Sequence, residues 1–398
     1  MPELIPFRWP AQWTSASKLE LIKGTPINCL AGEAPPPFPL GELKFVKLDS
    51  KQPPEGVTLR EGVWPRVLPS EKKDAAEAGP TGSPWVDSSA GVIRLAQAKE
   101  PDKTVWLTYQ PPGDNEVIPF ESFVKPIAES ESFGAHWVIT LSDSFLKALD
   151  AGAGQALDAW KRMMATLEFF RRKAEWRSWR PVAVLGVVSS YEGETEILST
   201  EFLNLAPRRH LAYRALTTER LSGKDLEGLT TVIYIESEPP EGETLNLLLA
   251  FAESGGLVIA PRGTSKTKYE TTRLGYQFHR QGKGWVAVPP DAWYDPYILV
   301  REVHLLMSHR QDVVRVWNAS DSGSHFVAAA DGKRGVVHLV QYGGGRTQPV
   351  TIGLSRSYRR ARVYNLEKEF QVEPVKVELG IEIPVGEFSA YAAVEVEA

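Results

Sequence analysis

Hydrophobic and polar positions follow three successive rhythms along the chain. Across residues 181–261 the apolar residues come in unbroken runs, at 182–188, 211–216, 231–235 and 257–260, parted by helical patterns near 194–205 and 241–253. Such runs, separated by helical segments, read as parallel strands buried on both faces and joined by right-handed crossovers. A doubly wound, three-layer α/β domain follows. Downstream of a predicted helix at 297–307 the pattern changes to strict alternation, at 313–317, 325–329, 335–341, 349–354, 361–364, 375–379 and 387–396. Short alternating strands at this spacing predict an antiparallel β-sandwich, with Asp331-Gly332 and Gly343-Gly-Gly345 as hairpin turns.

The first 178 residues mix both rhythms. Strands are predicted at 26–30, 43–48, 57–59, 104–109 and 136–141, and helices near 88–98, 119–131 and 155–176. The last helix is the clearest, with Leu157, Trp160, Met163, Met164, Leu167 and Phe170 at helical spacing and Arg171, Arg172, Lys173 and Arg177 complementing its C-terminal dipole. Ala34-Pro-Pro-Pro-Phe38, the polar tract 70–83 and the basic stretch 262–284 read as loops. Alternation of strand and helix suggests a (β/α) barrel, but eight such units need about 250 residues. The barrel is therefore reduced or incomplete. The fold class expected is α/β plus all-β, with domains at 1–178, 179–310 and 311–398.

Three parts of the chain carry a resemblance. Leu229-Thr-Thr-Val-Ile-Tyr-Ile-Glu-Ser-Glu-Pro-Pro240, followed by Leu247-Leu-Leu-Ala-Phe-Ala-Glu-Ser-Gly-Gly-Leu-Val-Ile259, resembles the class I glutamine-amidotransferase-like fold, in the non-catalytic version inserted after the barrel of some bacterial β-galactosidases. The segments Glu61-Gly-Val-Trp-Pro65, Pro84-Trp-Val-Asp87 and Thr104-Val-Trp106 resemble the barrel portion of uncharacterised bacterial glycoside-hydrolase-like proteins, and His338-Leu-Val-Gln341 with Tyr391-Ala-Ala-Val-Glu395 resembles a C-terminal β domain of the same enzymes. The resemblance implies a carbohydrate ligand and self-association through the middle domain. Amidotransfer is excluded, since the single cysteine, Cys29, is far in sequence from the strand-to-helix elbow.

Charge changes the picture little. A net charge of −5 gives no basis for a nucleic-acid partner, no run of 18 apolar residues predicts a membrane span, and one cysteine precludes an intrachain disulfide framework. Met1-Pro-Glu-Leu-Ile-Pro6 lacks the sections of a signal peptide, so the chain as written is expected to be cytoplasmic, or extracytoplasmic if a leader was removed. The turn Ser189-Ser-Tyr-Glu-Gly-Glu-Thr-Glu196 crowds three glutamates at a helix start and has no G-x-G-x-x-G, which argues against a nucleotide. No cofactor is expected. Nor is a metal, because His304 and His309 are five apart and miss the i,i+4 spacing of a helical pair.

Glycoside hydrolysis needs two carboxylates flanking the scissile bond. The candidates are Glu61, which stands between Arg60 and Trp64, together with Asp87 and Asp143, each of which is equally placed to cap a helix. Twelve tryptophans in the chain suit sugar stacking, and Trp9, Trp13, Trp64, Trp85 and Tyr109 are the candidate substrate contacts; such rings also serve as core anchors. Two readings stand: an oligosaccharide hydrolase using Glu61 with Asp87 or Asp143, or a catalytically inactive carbohydrate-binding or oligomer-assembly protein.

Overall fold

The computed structural model describes residues 3–68, 86–113, 116, 118–290, 295–319 and 321–398. Trp85 and the polar tract 70–83 lie outside them.

The N-terminal part is built on parallel strands. β1 (Pro6–Arg8), β2 (Cys29–Gly32) and β3 (Lys44–Lys47) form one sheet in the order β1-β2-β3. β4 (Val57–Gly62) starts a second sheet. An antiparallel pair, β5 (Arg66–Val67) and β6 (Val86–Asp87), stands apart from it, and β7 (Thr104–Tyr109) and β8 (His136–Trp137) complete it in the order β4-β7-β8. A parallel bridge between Phe7 and Ile139 joins the two sheets, with Arg8 N–H donating to Ile139 O at 2.8 Å. The result is an arc of six parallel strands. Helices α1 (Ala90–Lys99), α2 (Val124–Ser132), α3 (Asp143–Asp150) and α4 (Gly154–Arg172) accompany it. α4 buries Trp160, Met163, Met164, Leu167 and Phe170 of the stripe its spacing predicts, together with Ala156, while Leu157 is half-buried.

After α4 the chain adds β9 (Arg180–Pro181) to the edge of a C-terminal sheet and then enters the middle sheet. β10 (Leu185–Ser189), β11 (Tyr213–Thr217), β12 (Thr231–Tyr234) and β13 (Leu257–Ile259) are parallel and ordered β11-β10-β12-β13. β14 (Tyr269–Arg273) and β15 (Tyr276–Gln281) form a hairpin that lies antiparallel to β16 (Gly284–Val288), which pairs with β13. This hairpin occupies the stretch predicted as a polar loop; β14 is exposed at all five positions, so it has no apolar alternation to read. α5 (Glu196–Arg208) and α7 (Pro296–Met307) cover one face, packing Phe202, Leu203, Val300 and Val303 on Leu185, Val187 and Ile233. α6 (Gly242–Glu253) covers the other, with Leu248 and Ala252 on Val232 and Val258.

The remaining strands are antiparallel. β17 (Val314–Trp317), β18 (Ser322–Ala328), β19 (Arg334–Gln341), β20 (Val350–Leu354), β21 (Arg360–Asn365), β22 (Glu369–Val372), β23 (Val375–Val377), β24 (Gly380–Gly386) and β25 (Tyr391–Glu397) divide into two sheets, β17-β20-β24-β23 and β22-β21-β25-β19-β18-β9. Their facing sides share a core of Ile352, Ile381, Ile383, Val337, Val363 and Val394. Asp331-Gly332 makes the β18–β19 hairpin with Gly332 at φ +64°, whereas Gly343-Gly-Gly345 carries the chain from β19 in one sheet to β20 in the other. The outer side of the six-stranded sheet, through Val336, Val340, Tyr342 and Tyr391, shares one core with Phe7, Leu107, Phe170 and Trp176. Thus β19 is buried at seven of eight positions, and the N-terminal arc and this sheet are packed as a unit.

Candidate functional site

The C-terminal ends of parallel strands are where α/β folds assemble ligand sites. β4 ends at Gly62 opposite Tyr109 of β7, and a Cβ at Gly62 would lie 2.7 Å from the Tyr109 ring, so only glycine lets the strands close up here. The chain then turns and drives Trp64 inward, edge-on to Phe123 at 4.9 Å and Trp137 at 6.0 Å. Above this ring opens a cleft of about 720 Å³, bounded by Trp64 and Arg66, by Lys125 of α2, by Arg162 and Thr166 of α4, and by the Gly343–Gly345 loop with Arg346 and Glu367. That volume lies within the range of small-ligand sites.

The walls are fixed by polar contacts. Lys125 Nζ donates to Tyr342 O at 2.7 Å and Gly343 O at 2.8 Å; burial pulls the ammonium down to about 8, against the attraction of Glu121 and Asp321. Arg66 pairs with Glu116 and lies 3.7 Å from Asp87, while Arg346 pairs with Glu367. Beneath the cleft, Glu129 of α2 is fully buried and accepts from Tyr109 Oη at 2.6 Å, Ser88 Oγ at 2.7 Å, Tyr342 Oη at 2.8 Å and Ser89 N–H at 3.1 Å. Burial pushes its carboxyl up, and these donors oppose the shift. Glu129 thereby ties β7, the start of α1 and the β19–β20 loop into one wall. Nothing in the sequence marks it, since Ala128-Glu-Ser-Glu-Ser132 reads as a solvent face.

The candidates read from sequence are dispersed. Glu61 is exposed on β4, and its neighbour Arg60 pairs instead with Glu100 at 2.9 Å. Asp143 is the exposed first residue of α3, whose cap is Ser142 Oγ, accepting from Phe145 N–H at 3.3 Å. Asp87 is half-buried on β6 and adjoins the cleft through Arg66; Ser89, not Asp87, holds the cap position of α1. Neither Glu61 nor Asp143 lines the cleft. Among the aromatics, Trp64 does, although it belongs to the same core cluster as Trp9 and Trp13 and is only 6% exposed. Trp9 and Trp13 are core residues, with rings 5.3 Å apart at 71° and the Trp9 indole N–H donating to Trp13 O at 2.8 Å. Tyr109 is fully buried on Glu129. The sequence reading missed Lys125, Arg162 and Arg346, because helix and loop arginines and lysines carry no local signature.

Two other places were open to a ligand. At the switch point of the middle sheet, between β10 and β12, Glu236 follows β12 and accepts from Ser189 Oγ at 3.0 Å, Thr195 Oγ1 at 3.1 Å and Ser190 N–H. The anion position is thus filled by the chain's own carboxylate. At the N-terminal end of the arc a cavity of about 460 Å³ rests on a buried ionic cluster. There His136 Nδ1 meets Glu131 at 2.7 Å, His136 Nε2 meets Glu3 at 2.8 Å, and Arg177 bridges both carboxylates. Burial opposes charge on His136, but Glu131 and the hydrogen bonds to Glu131 and Glu3 prevail and push the imidazole up to about 9. Burial likewise opposes charge on Glu3, yet His136 and Arg177 pull its carboxyl down to about 2. Placement at strand N-termini suits stability rather than ligand chemistry.

No family model matches the chain, and no curated protein sequence matches it. Among solved structures it is similar to α-L-fucosidase isoenzyme 2 from Paenibacillus thiaminolyticus, at 12% identity and TM-score 0.53 over 77% of this chain and 62% of that one. It is similar to a catalytic mutant of a GH42 β-galactosidase from G. stearothermophilus, at 10% identity and TM-score 0.55 over 86% of this chain and 60% of that one. A rhamnosidase from Novosphingobium sp. PP1Y matches at 13% identity and TM-score 0.51, over 85% of this chain and 34% of that one. The chain therefore spans less than two thirds of each of these proteins, and what it shares with them is a glycoside-hydrolase-like fold.

Proposed function

We propose that this chain is an oligosaccharide-binding relative of the glycoside hydrolases that holds its ligand in the Trp64 cleft without hydrolysing it. The observation that carries the reading is the cleft itself: an apolar floor at the C-terminal end of β4, opposed by Arg162 and Arg346 on facing walls. An aromatic floor with charged hydrogen-bonding groups around it is the chemistry that recognises a sugar ring. Binding is favoured over hydrolysis because Glu61 and Asp143 lie outside the cleft, and of the three described glutamates that line it, Glu116 and Glu367 are each engaged by an arginine, leaving Glu121 where hydrolysis needs two carboxylates. In this reading residues 1–178 are a reduced barrel, 179–310 an amidotransferase-like domain and 311–398 a β-sandwich. The strand order β11-β10-β12-β13 supports the second assignment.

The test is a glycan array followed by calorimetry, with wild type, Arg162→Ala and Arg346→Ala; both arginines are exposed, so the variants keep the fold. Binding weakened about tenfold in each variant supports the reading. Hydrolysis of aryl glycosides or oligosaccharides by wild type, abolished in Glu61→Gln, replaces it with the enzyme reading. Self-association through the middle domain is supported by β14, an edge strand exposed along its length. A light-scattering mass of one chain removes that part.

A further inference from the structure

We propose that His304, His309 and Asp312 form a binding site for a divalent zinc-class metal ion at the junction of α7 and β17. The site is independent of the carbohydrate cleft. Residues five apart on a continuous helix do not share a face, but α7 ends at Met307. Ser308 then takes φ +70°, a conformation costly for a residue with a side chain, and a short 3-10 turn over His309–Gln311 follows. The reversal folds His309 back over His304, with ring centroids 4.1 Å apart. Asp312 reaches both rings: Oδ1 lies 2.8 Å from His304 Nε2, and Oδ2 lies 3.0 Å from His309 Nδ1.

One donor atom from each of the three residues falls within 4.8 Å of the others. Around tetrahedral zinc, bonds of roughly 2.0–2.2 Å set donors about 3.3 Å apart, so shifts of about an ångström bring all three onto one ion. Two neutral imidazoles and a carboxylate match zinc better than the hard cations calcium or magnesium. The His304 and Asp312 side chains are largely buried while that of His309 is 63% exposed, which gives the ion an entrance and leaves a coordination position for water. An ion there would clamp the last helix of the middle sheet to the first strand of the C-terminal sheets.

Metal-free full-length protein is titrated with Co²⁺, read by d–d absorption, and with Zn²⁺ against a chromophoric chelator. The expected result is one equivalent bound with Kd below about 10 µM, weakened about tenfold or more in both His309→Ala and Asp312→Asn. Because His309 is exposed, His309→Ala retains the circular dichroism and melting temperature of the metal-free wild type. Wild-type affinity weaker than that limit, or wild-type affinity retained in either variant, overturns the proposal.

Discussion

The cluster of Glu131, His136 and Arg177, with Glu3 at its exposed edge, makes stability depend on pH in a direction set by His136. Its imidazole, ordinarily near 6.5, is held up to about 9, so between those values the native state carries a proton that the unfolded chain has released. Stability therefore falls as pH rises: the contribution is complete below about 6.5 and lost as pH passes 9. Holding the proton from about 6.5 up to about 9, at about 1.4 kcal/mol for each tenfold change in affinity, amounts to roughly 3–4 kcal/mol. Lys125 acts oppositely above pH 8, since burial pulls its ammonium down to about 8. The perturbation must therefore isolate His136. Urea unfolding of wild type and His136→Gln, followed by tryptophan fluorescence across pH 6 to 10, gives a stability gap in which Lys125 cancels. That gap should shrink by roughly 3–4 kcal/mol across this range, and a histidine ¹H–¹³C resonance absent from the variant should titrate near pH 9. A gap constant with pH, or a His136 resonance titrating between 6 and 7, refutes the reasoning.

Other consequences are simpler. Glu129→Gln replaces an acceptor of four donors with an amide that brings two donors of its own, and should cost about 2–4 kcal/mol in chemical denaturation; unchanged stability would remove Glu129 as the latch of the cleft wall. Burial pushes the Cys29 thiol up to about 11, so a disulfide reagent at pH 8 should label it only after unfolding, and labelling of native protein at a free-thiol rate would contradict its burial. A Cβ at Gly284 would lie 2.1 Å from Gly256 O and 2.4 Å from Ala252 O. Gly284→Ala should therefore lower the melting temperature, with a cost on the order of 1–3 kcal/mol or more, and an unchanged melt would show that α6 and β16 are less closely packed.

What the sequence discloses and what it hides divide along physical lines. The parallel strands of the middle sheet are legible because strands buried on both faces leave unbroken apolar runs, as in β10 and β12. α4 is legible because one face of it is buried, and α7 because Asp295 caps it through Tyr297 N–H and Pro296 occupies its first position. β14 is not legible, since an edge strand exposed at every position needs no apolar pattern, and β15 buries only Tyr276 and Phe278, an alternation too short to stand out from the basic stretch around it. Gly343–Gly345 reads as a hairpin because glycine marks a turn without saying which strands it joins. The polar interior is hidden for a related reason. Glu129, Glu131, His136 and His338 are buried by partners distant in sequence, and Glu129 finds Tyr342 only across 213 residues. Tryptophan misleads in the opposite sense, because Trp9 and Trp13 are spent on the core at the strand ends where a sugar-binding platform was expected.

The most direct test of the account is a crystal structure of the protein with the tightest oligosaccharide found on the array. In that complex a sugar ring should lie over Trp64, with hydroxyls bonded to Arg162 and Arg346 and the glycosidic bonds intact. A sugar seated elsewhere, such as the cavity above His136, or one cleaved beside Glu61, would contradict it.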